Sequence, residues 1–143
     1  MKTKQLLDSP RTFALIFDTG DEIISELKRF AEAQSLSGSS FKAIGALSDA
    51  RLDWFDWEDK KYKVAIDIQE QVEVLSLIGD IALKDGKPEV HAHMVVGKKD
   101  GAAFGGHLQM AHVRPTLELI LTESPRELQK QVDPESGLAL IQL

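Results

Sequence analysis

Between Tyr62 and Val113 the chain falls into runs that read as strands, and the breaks between them are too short to hold a helix. Tyr62, Val64, Ile66 and Ile68 alternate with Lys63, Ala65 and Asp67. Residues 71–83 form the longest strand candidate, a further run extends from Pro88 or Glu89 to Val96, and another covers 102–113. Parallel neighbours need a crossover of a dozen or more residues, so these runs must pair mostly as antiparallel hairpins. Asp85-Gly86 is the strongest turn signal among them, because the type I′ two-residue hairpin needs positive φ at both central positions, which Asp-Gly tolerates.

The rest of the chain adds helical signals. Thr12 to Phe17 reads as a strand ending at Asp18-Thr19-Gly20. Thr19 is the expected helix cap, with Glu22 as the other half of a capping box. Ile23, Ile24, Leu27, Phe30, Ala31 and Ala33 then form a helical stripe, stopped at Ser37-Gly38-Ser39-Ser40. Phe41 to Leu52 resembles a strand and leads into Trp54 and Trp57, a pair suited to packing or an interface. Thr116 to Leu121 follows Pro115 as a strand. Ser124-Pro125-Arg126-Glu127 predicts a second, short helix, ending near Asp133-Pro134. Leu138 to Leu143 reads as a last strand. The expected fold class is therefore α+β: a compact, mainly antiparallel β-sheet packed with one main helix and one short helix, in a single domain over residues 1–143.

Several function classes are disfavoured at this point. Cysteine is absent, which removes disulfide scaffolds, thiolate metal sites and cysteine nucleophiles. The formal charge is −6, and Asp49 to Asp59 holds five acidic residues against one arginine, which opposes a nucleic-acid backbone. Lys60-Lys61-Tyr62-Lys63 is short and reads as a solvated strand edge. Arg51 is the cation near the tryptophans, most simply paired with a neighbouring carboxylate. Asp8 and Pro10 interrupt the N-terminal Leu6-Leu7, unlike a signal peptide, and no apolar run reaches membrane-spanning length, so a cytoplasmic location is the expectation. Neither a dinucleotide-binding Gly-x-Gly-x-x-Gly nor a Walker-type Gly-Lys-Ser/Thr occurs.

All four histidines lie between residues 91 and 112. His91 and His93 are two apart in an expected strand, so their rings share a face. Two imidazoles so placed can converge on one ion at about 2.0–2.1 Å each. His107 follows Gly105-Gly106, and the turn at 97–101 can return it to a neighbouring strand as a third ligand. His112, five residues on, points away in a regular strand. Zinc is the leading expectation, with a water or substrate at an open position; iron, manganese and nickel use the same donors. The alternatives for these residues are a polar pocket without metal and no special role. Glu73 and Glu89 are candidates to orient an imidazole or carry a proton.

The stretches TGDEIISELKRFA, FKAIGALSDARLDWFD, EVLSLIGDIALKDGKPEVHAHMVVG and GGHL, in this order, resemble prokaryotic members of the PPC (plants and prokaryotes conserved) domain family, across nearly the whole chain. The resemblance implies a mainly antiparallel α+β domain assembled as a homotrimer, with a metal held through His91, His93 and His107. Plant members carry the domain after an AT-hook, which makes the DNA contact; this sequence has no such basic element. The implied function is a homotrimeric binding or regulatory module whose ligand is an unknown small molecule or protein. The alternatives are a small metal-dependent enzyme of hydrolase or lyase type, and direct DNA binding.

Overall fold

The computed structural model describes residues 1–142, with the side chains of residues 6–8 left aside. Strands β1 (Lys2–Asp8) and β2 (Arg11–Phe17) form a hairpin, and helix α1 (Ile23–Gln34) follows. Then come β3 (Gly38–Asp56), β4 (Lys61–Ile68), β5 (Val72–Lys84), β6 (Lys87–Gly97), β7 (Ala103–Glu123), β8 (Gln129–Val132) and β9 (Ala139–Gln142). Pairing is antiparallel apart from one parallel contact, Leu83 of β5 with Gln129 of β8. The two longest strands organise the rest. β7 pairs with β2, β3 and β6, while β3 pairs with β4, β5 and β7. Because β5 also pairs with β6, the strands β3, β5, β6 and β7 hydrogen-bond round a closed circuit.

The closed circuit buries one face of each strand. Leu15, Phe17, Leu47, Leu52, Leu77, Ile81, Met94, Leu117 and Leu119 are fully buried, each stabilising the fold by roughly 1.5–3 kcal/mol relative to exposure. The α1 stripe supplies Ile23, Leu27, Phe30 and Ala31 and packs on β6 and β7. Its start differs from the capping box expected from the sequence. Glu22 is itself the cap: its carboxylate accepts from the amides of Ile24 at 3.1 Å and Ser25 at 2.8 Å. Thr19 instead donates its hydroxyl to the Pro115 carbonyl at 3.1 Å.

The expected second helix is absent, and α1 is the single helix among the described residues. The Ser124-Pro125-Arg126-Glu127 signal is local, whereas the backbone after it is claimed by the sheet. The Leu128 amide donates to the Ser37 carbonyl and the Leu128 carbonyl accepts from the Leu83 amide, both at 2.8 Å. Only a few residues separate Arg126 from Asp133-Pro134, too few to repay helix nucleation against those bonds. The segment becomes β8, which turns back antiparallel to β9. Leu143 lies outside the described residues. Two further strand boundaries differ from expectation: the N-terminal residues form β1, and residues 103–123 run as one strand through Pro115.

One face of the sheet stays apolar and open. Ile44, Ile78 and Leu75 are 62%, 58% and 54% exposed, beside a shallow groove of about 490 Å³ that also touches Ile16 and Ile120. Trp54 and Trp57 are each about half exposed on another surface, where the Lys60 ammonium sits over the Trp57 ring.

Candidate metal centre

The hairpin at Asp85-Gly86 sets the register of the site. Pairing Lys84 with Lys87 carries down the ladder to Asp80 opposite His91 and Ile78 opposite His93. On its other side β6 places His93 directly opposite His107 of β7, and β7 in turn sets His107 opposite Asp53 of β3. Two histidines related by the period of two and a third directly across a ladder must meet. Their ligand atoms all lie within 4.8 Å of one another. His91 and His93 bring their Nε2 atoms to 3.2 Å. Two nitrogens bound tetrahedrally at 2.0–2.1 Å to one ion stand about 3.3–3.4 Å apart. The spacing therefore matches a shared ion, and the cluster is capable of coordinating a divalent metal.

Protonation favours ligation too. Burial, reinforced by the neighbouring His91 and His93 rings and by Lys130, lowers His107 to about 4. Burial and then His91 also lower His93. Both rings are thus in the neutral form that a cation requires at neutral pH. His107 Nδ1 is buried and has no hydrogen-bond partner among the described residues. Such an orphan costs roughly 1–3 kcal/mol, a cost that a ligand or ion brought in from outside would offset.

Around the rings stands a polar shell. Asp80 Oδ2 is 3.5 Å from His91 Nδ1. Burial alone would raise the Asp80 carboxyl, but His91 and Lys130 outweigh it and hold it below its usual range. Lys130, on β8, is only 3% exposed and stands 3.5 Å from Asp80 and 3.6 Å from Glu89. Tyr62 of β4 stacks on His107 with ring centroids 4.2 Å apart. Burial and then the charge of Asp53 raise its phenol above the ordinary value. Asp53 is itself buried, and its Oδ1 has no hydrogen bond among the described residues. A cavity of about 370 Å³ opens beside these groups, lined by His91, His107, Tyr62, Glu89 and Lys130 among others.

The histidines singled out in the sequence are thus brought together, but the carboxylates separate. Glu89 lines the cavity, held by Lys84 at 3.5 Å as well as by Lys130. Glu73 pairs with Gly97 at the far end of the β5–β6 ladder, five residues or roughly 16 Å from Ile78; it does not reach the cluster. His112 stands apart, its Nδ1 2.8 Å from Asp49 Oδ1, and Arg51 pairs with Asp67 at 2.6 Å. Asp80 was recoverable from sequence, because a two-residue turn at 85–86 places residues 80 and 91 opposite each other. Lys130 was hidden by the helical reading of its segment. Asp53 and Tyr62 depend on a register shift between Leu52 and Asp53 in the β3–β4 ladder, which no local signal announces.

Similar proteins fit this architecture. A plant- and prokaryote-conserved (PPC) protein from Pyrococcus horikoshii is 34% identical with a TM-score of 0.86, covering 93% of this chain and 92% of that one. The "metal-containing protein" of Archaeoglobus fulgidus is 30% identical with a TM-score of 0.85, covering 99% and 97%. A protein from Ralstonia eutropha JMP134 described as a candidate DNA-binding protein is also 30% identical, with a TM-score of 0.85, covering 92% and 90%. The bifunctional protein GlmU of Synechococcus sp. (strain JA-3-3Ab) is 33% identical over 132 residues, 90% of this chain but 20% of GlmU. The chain thus spans about a fifth of the length of that curated relative. With its residues 6–125 matching the Plants and Prokaryotes Conserved (PCC) domain, the chain belongs to that family.

Proposed function

We propose that this protein is a homotrimeric binding module in which each chain holds one divalent metal ion, zinc foremost, on His91, His93 and His107. The convergence of three imidazoles, with two Nε2 atoms 3.2 Å apart, carries the reading. The donor set supports it: three neutral nitrogens suit zinc and leave a fourth position for a water or a ligand. Asp80 fixes the His91 ring from behind, as carboxylates commonly do for metal-binding imidazoles. The metal-containing Archaeoglobus relative is in keeping with this assignment. The open apolar face with Ile44, Leu75 and Ile78 supports self-association, since exposed apolar surface of that kind marks interaction sites.

An ion held in this way would polarise a carbonyl or lower the pKa of a bound water, so the same site supports an enzymatic reading of hydrolase or lyase type. The 370 Å³ cavity beside the histidines is what favours that second reading. DNA recognition has less support. The chain carries a net charge of −6, and Lys63 and Lys98 are each paired with carboxylates.

The test is metal content per chain in untagged protein, beside the variant with His91, His93 and His107 all replaced by alanine, with molar mass measured by light scattering. One ion per chain, lost in the variant, and a mass of three chains are expected. Absence of metal after exposure to zinc, iron, manganese and nickel would end the metal reading. A monomer at micromolar concentration would end the trimer.

A further inference from the structure

The β8–β9 hairpin lies beyond residues 6–125, the part matched to the family, yet it supplies one wall of the cavity over the histidine cluster. It brings Lys130, Leu138 and Leu140; the opposite wall carries His91, His107 and Tyr62. We propose that this hairpin completes a ligand pocket for a small organic carboxylate, with the carboxylate group between the metal position and the Lys130 ammonium, and the carbon body against Tyr62, Leu138 and Leu140. This rests on the metal reading given above and names the ligand class for it.

Three observations carry the assignment. The first is volume: about 370 Å³ is at the small end of ligand pockets, enough for a compact organic acid. The second is charge. Lys84 and Lys130 are matched by Asp80 and Glu89, so these four groups cancel. A divalent ion then leaves the pocket net positive, even after the buried Asp53 carboxylate is counted, and an anion restores balance. The third is placement. Lys130 is 3% exposed, and a lysine is rarely buried unless its charge is used. Its partners stand at 3.5 and 3.6 Å, longer than a direct charge-assisted hydrogen bond of 2.7–2.9 Å, which leaves its donors available for a closer acceptor. The leucines and the Tyr62 ring make the remaining wall apolar, which favours an acid with a carbon body over a bare inorganic anion.

The full chain loaded with cobalt(II) reports on this directly, because its visible absorption changes when a ligand enters the metal's open position. Benzoate and pyruvate are the probes. Benzamide is the uncharged isostere, and inorganic phosphate is the anion without a carbon body. Saturable spectral changes with the two acids and none with benzamide are expected. Lys130→Gln should weaken acid binding about tenfold or more while leaving cobalt uptake unchanged. Leu140→Glu, at a position 40% exposed and therefore tolerant of substitution, should weaken it similarly by adding a negative charge at the rim. If Lys130→Gln does not fold, Leu140→Glu decides. Cobalt uptake with no response to either acid would overturn the pocket and leave the metal module standing. So would equal acid affinity in the folded variants, or phosphate binding as tightly as the acids. Failure to bind cobalt at all would overturn the metal module and the pocket with it.

Discussion

Gly79 is where packing and metal affinity are most tightly tied. It lies in β5 between Phe41 of β3 and Ala92 of β6. A Cβ built there would stand 2.3 Å from the His91 carbonyl oxygen and 2.3 Å from Phe41 Cζ, where real contacts essentially never fall under 3.0 Å. Gly79→Ala must therefore open the structure by about 0.7 Å on both sides at once. The Phe41 ring is 5% exposed and enclosed by core, so it yields only at a cost, and the other obstacle is backbone. Overpacking of this kind costs about 1–3 kcal/mol, and because a backbone atom is involved we expect the upper half of that range. Shifting His91 by several tenths of an ångström exceeds the roughly 0.2 Å tolerance of a metal–ligand distance. Zinc affinity should fall at least tenfold, read by competition with a chromophoric chelator. Apparent melting temperature should drop by about 5–10 °C at fixed protein concentration. Gly86→Ala is the control. Its φ of +76° is strained for alanine, but nothing lies within 4 Å of the added carbon. It should cost about 1–2 kcal/mol with zinc affinity intact. A Gly79→Ala protein that binds zinc like the parent would refute the reasoning.

Three more outcomes follow from the site and its surroundings. Asp80→Asn removes the anion facing His91 Nδ1 and one of the two carboxylates beside Lys130; metal affinity should fall about 10–100-fold, measured by the same competition. In metal-free protein, His107 is held at about 4 by burial and its neighbours, against 6.5 when unfolded, so the unfolded chain takes up protons first. Stability is full above pH 6.5 and is lost as pH falls towards 4, and urea midpoints for the parent should decline across that window more steeply than for His107→Gln. Ile44→Asp puts a charge on a side chain 62% exposed in the apolar face and outside the histidine cluster; light scattering should show monomers that still take up one metal ion each.

The parts of this molecule legible in sequence are those fixed by local chemistry. The Asp85-Gly86 turn and the strand period place His91 and His93 on one face, and the α1 stripe buries Ile23, Leu27, Phe30 and Ala31 as its spacing requires. What was not legible depends on competition between distant groups. Glu22 outdid Thr19 as the helix cap because both its carboxylate oxygens reach amide donors, while Thr19 found the Pro115 carbonyl. The Ser-Pro-Arg-Glu signal lost to backbone bonds from Ser37 and Leu83, and with it went any view of Lys130. The β-bulges matter for the same reason. A shift between Arg51 and Leu52 is what sets Asp53 opposite His107, and no residue type in that stretch specifies the slip.

The histidine cluster also explains why an acidic chain can hold a site for an anion. His93 and His107 face each other across the β6–β7 ladder and His91 stands two residues along β6, so the rings are fixed by strands rather than loops, the arrangement that holds site geometry most narrowly. Without an ion, Lys84 and Lys130 cancel Asp80 and Glu89, and the buried Asp53 leaves the site with no attraction for an anion. Adding a divalent ion changes the sign of the pocket while the chain as a whole, with a net charge of −6 before the ion, stays negative. A small anion can reach such a pocket because it needs only local attraction, and beyond about 8–10 Å salt screens the rest of the surface. A DNA duplex draws its affinity from many phosphates spread over a much wider surface, and a chain of net charge −6 carries no excess of cations to meet them. The same charge pattern that admits a small carboxylate therefore argues against a nucleic acid.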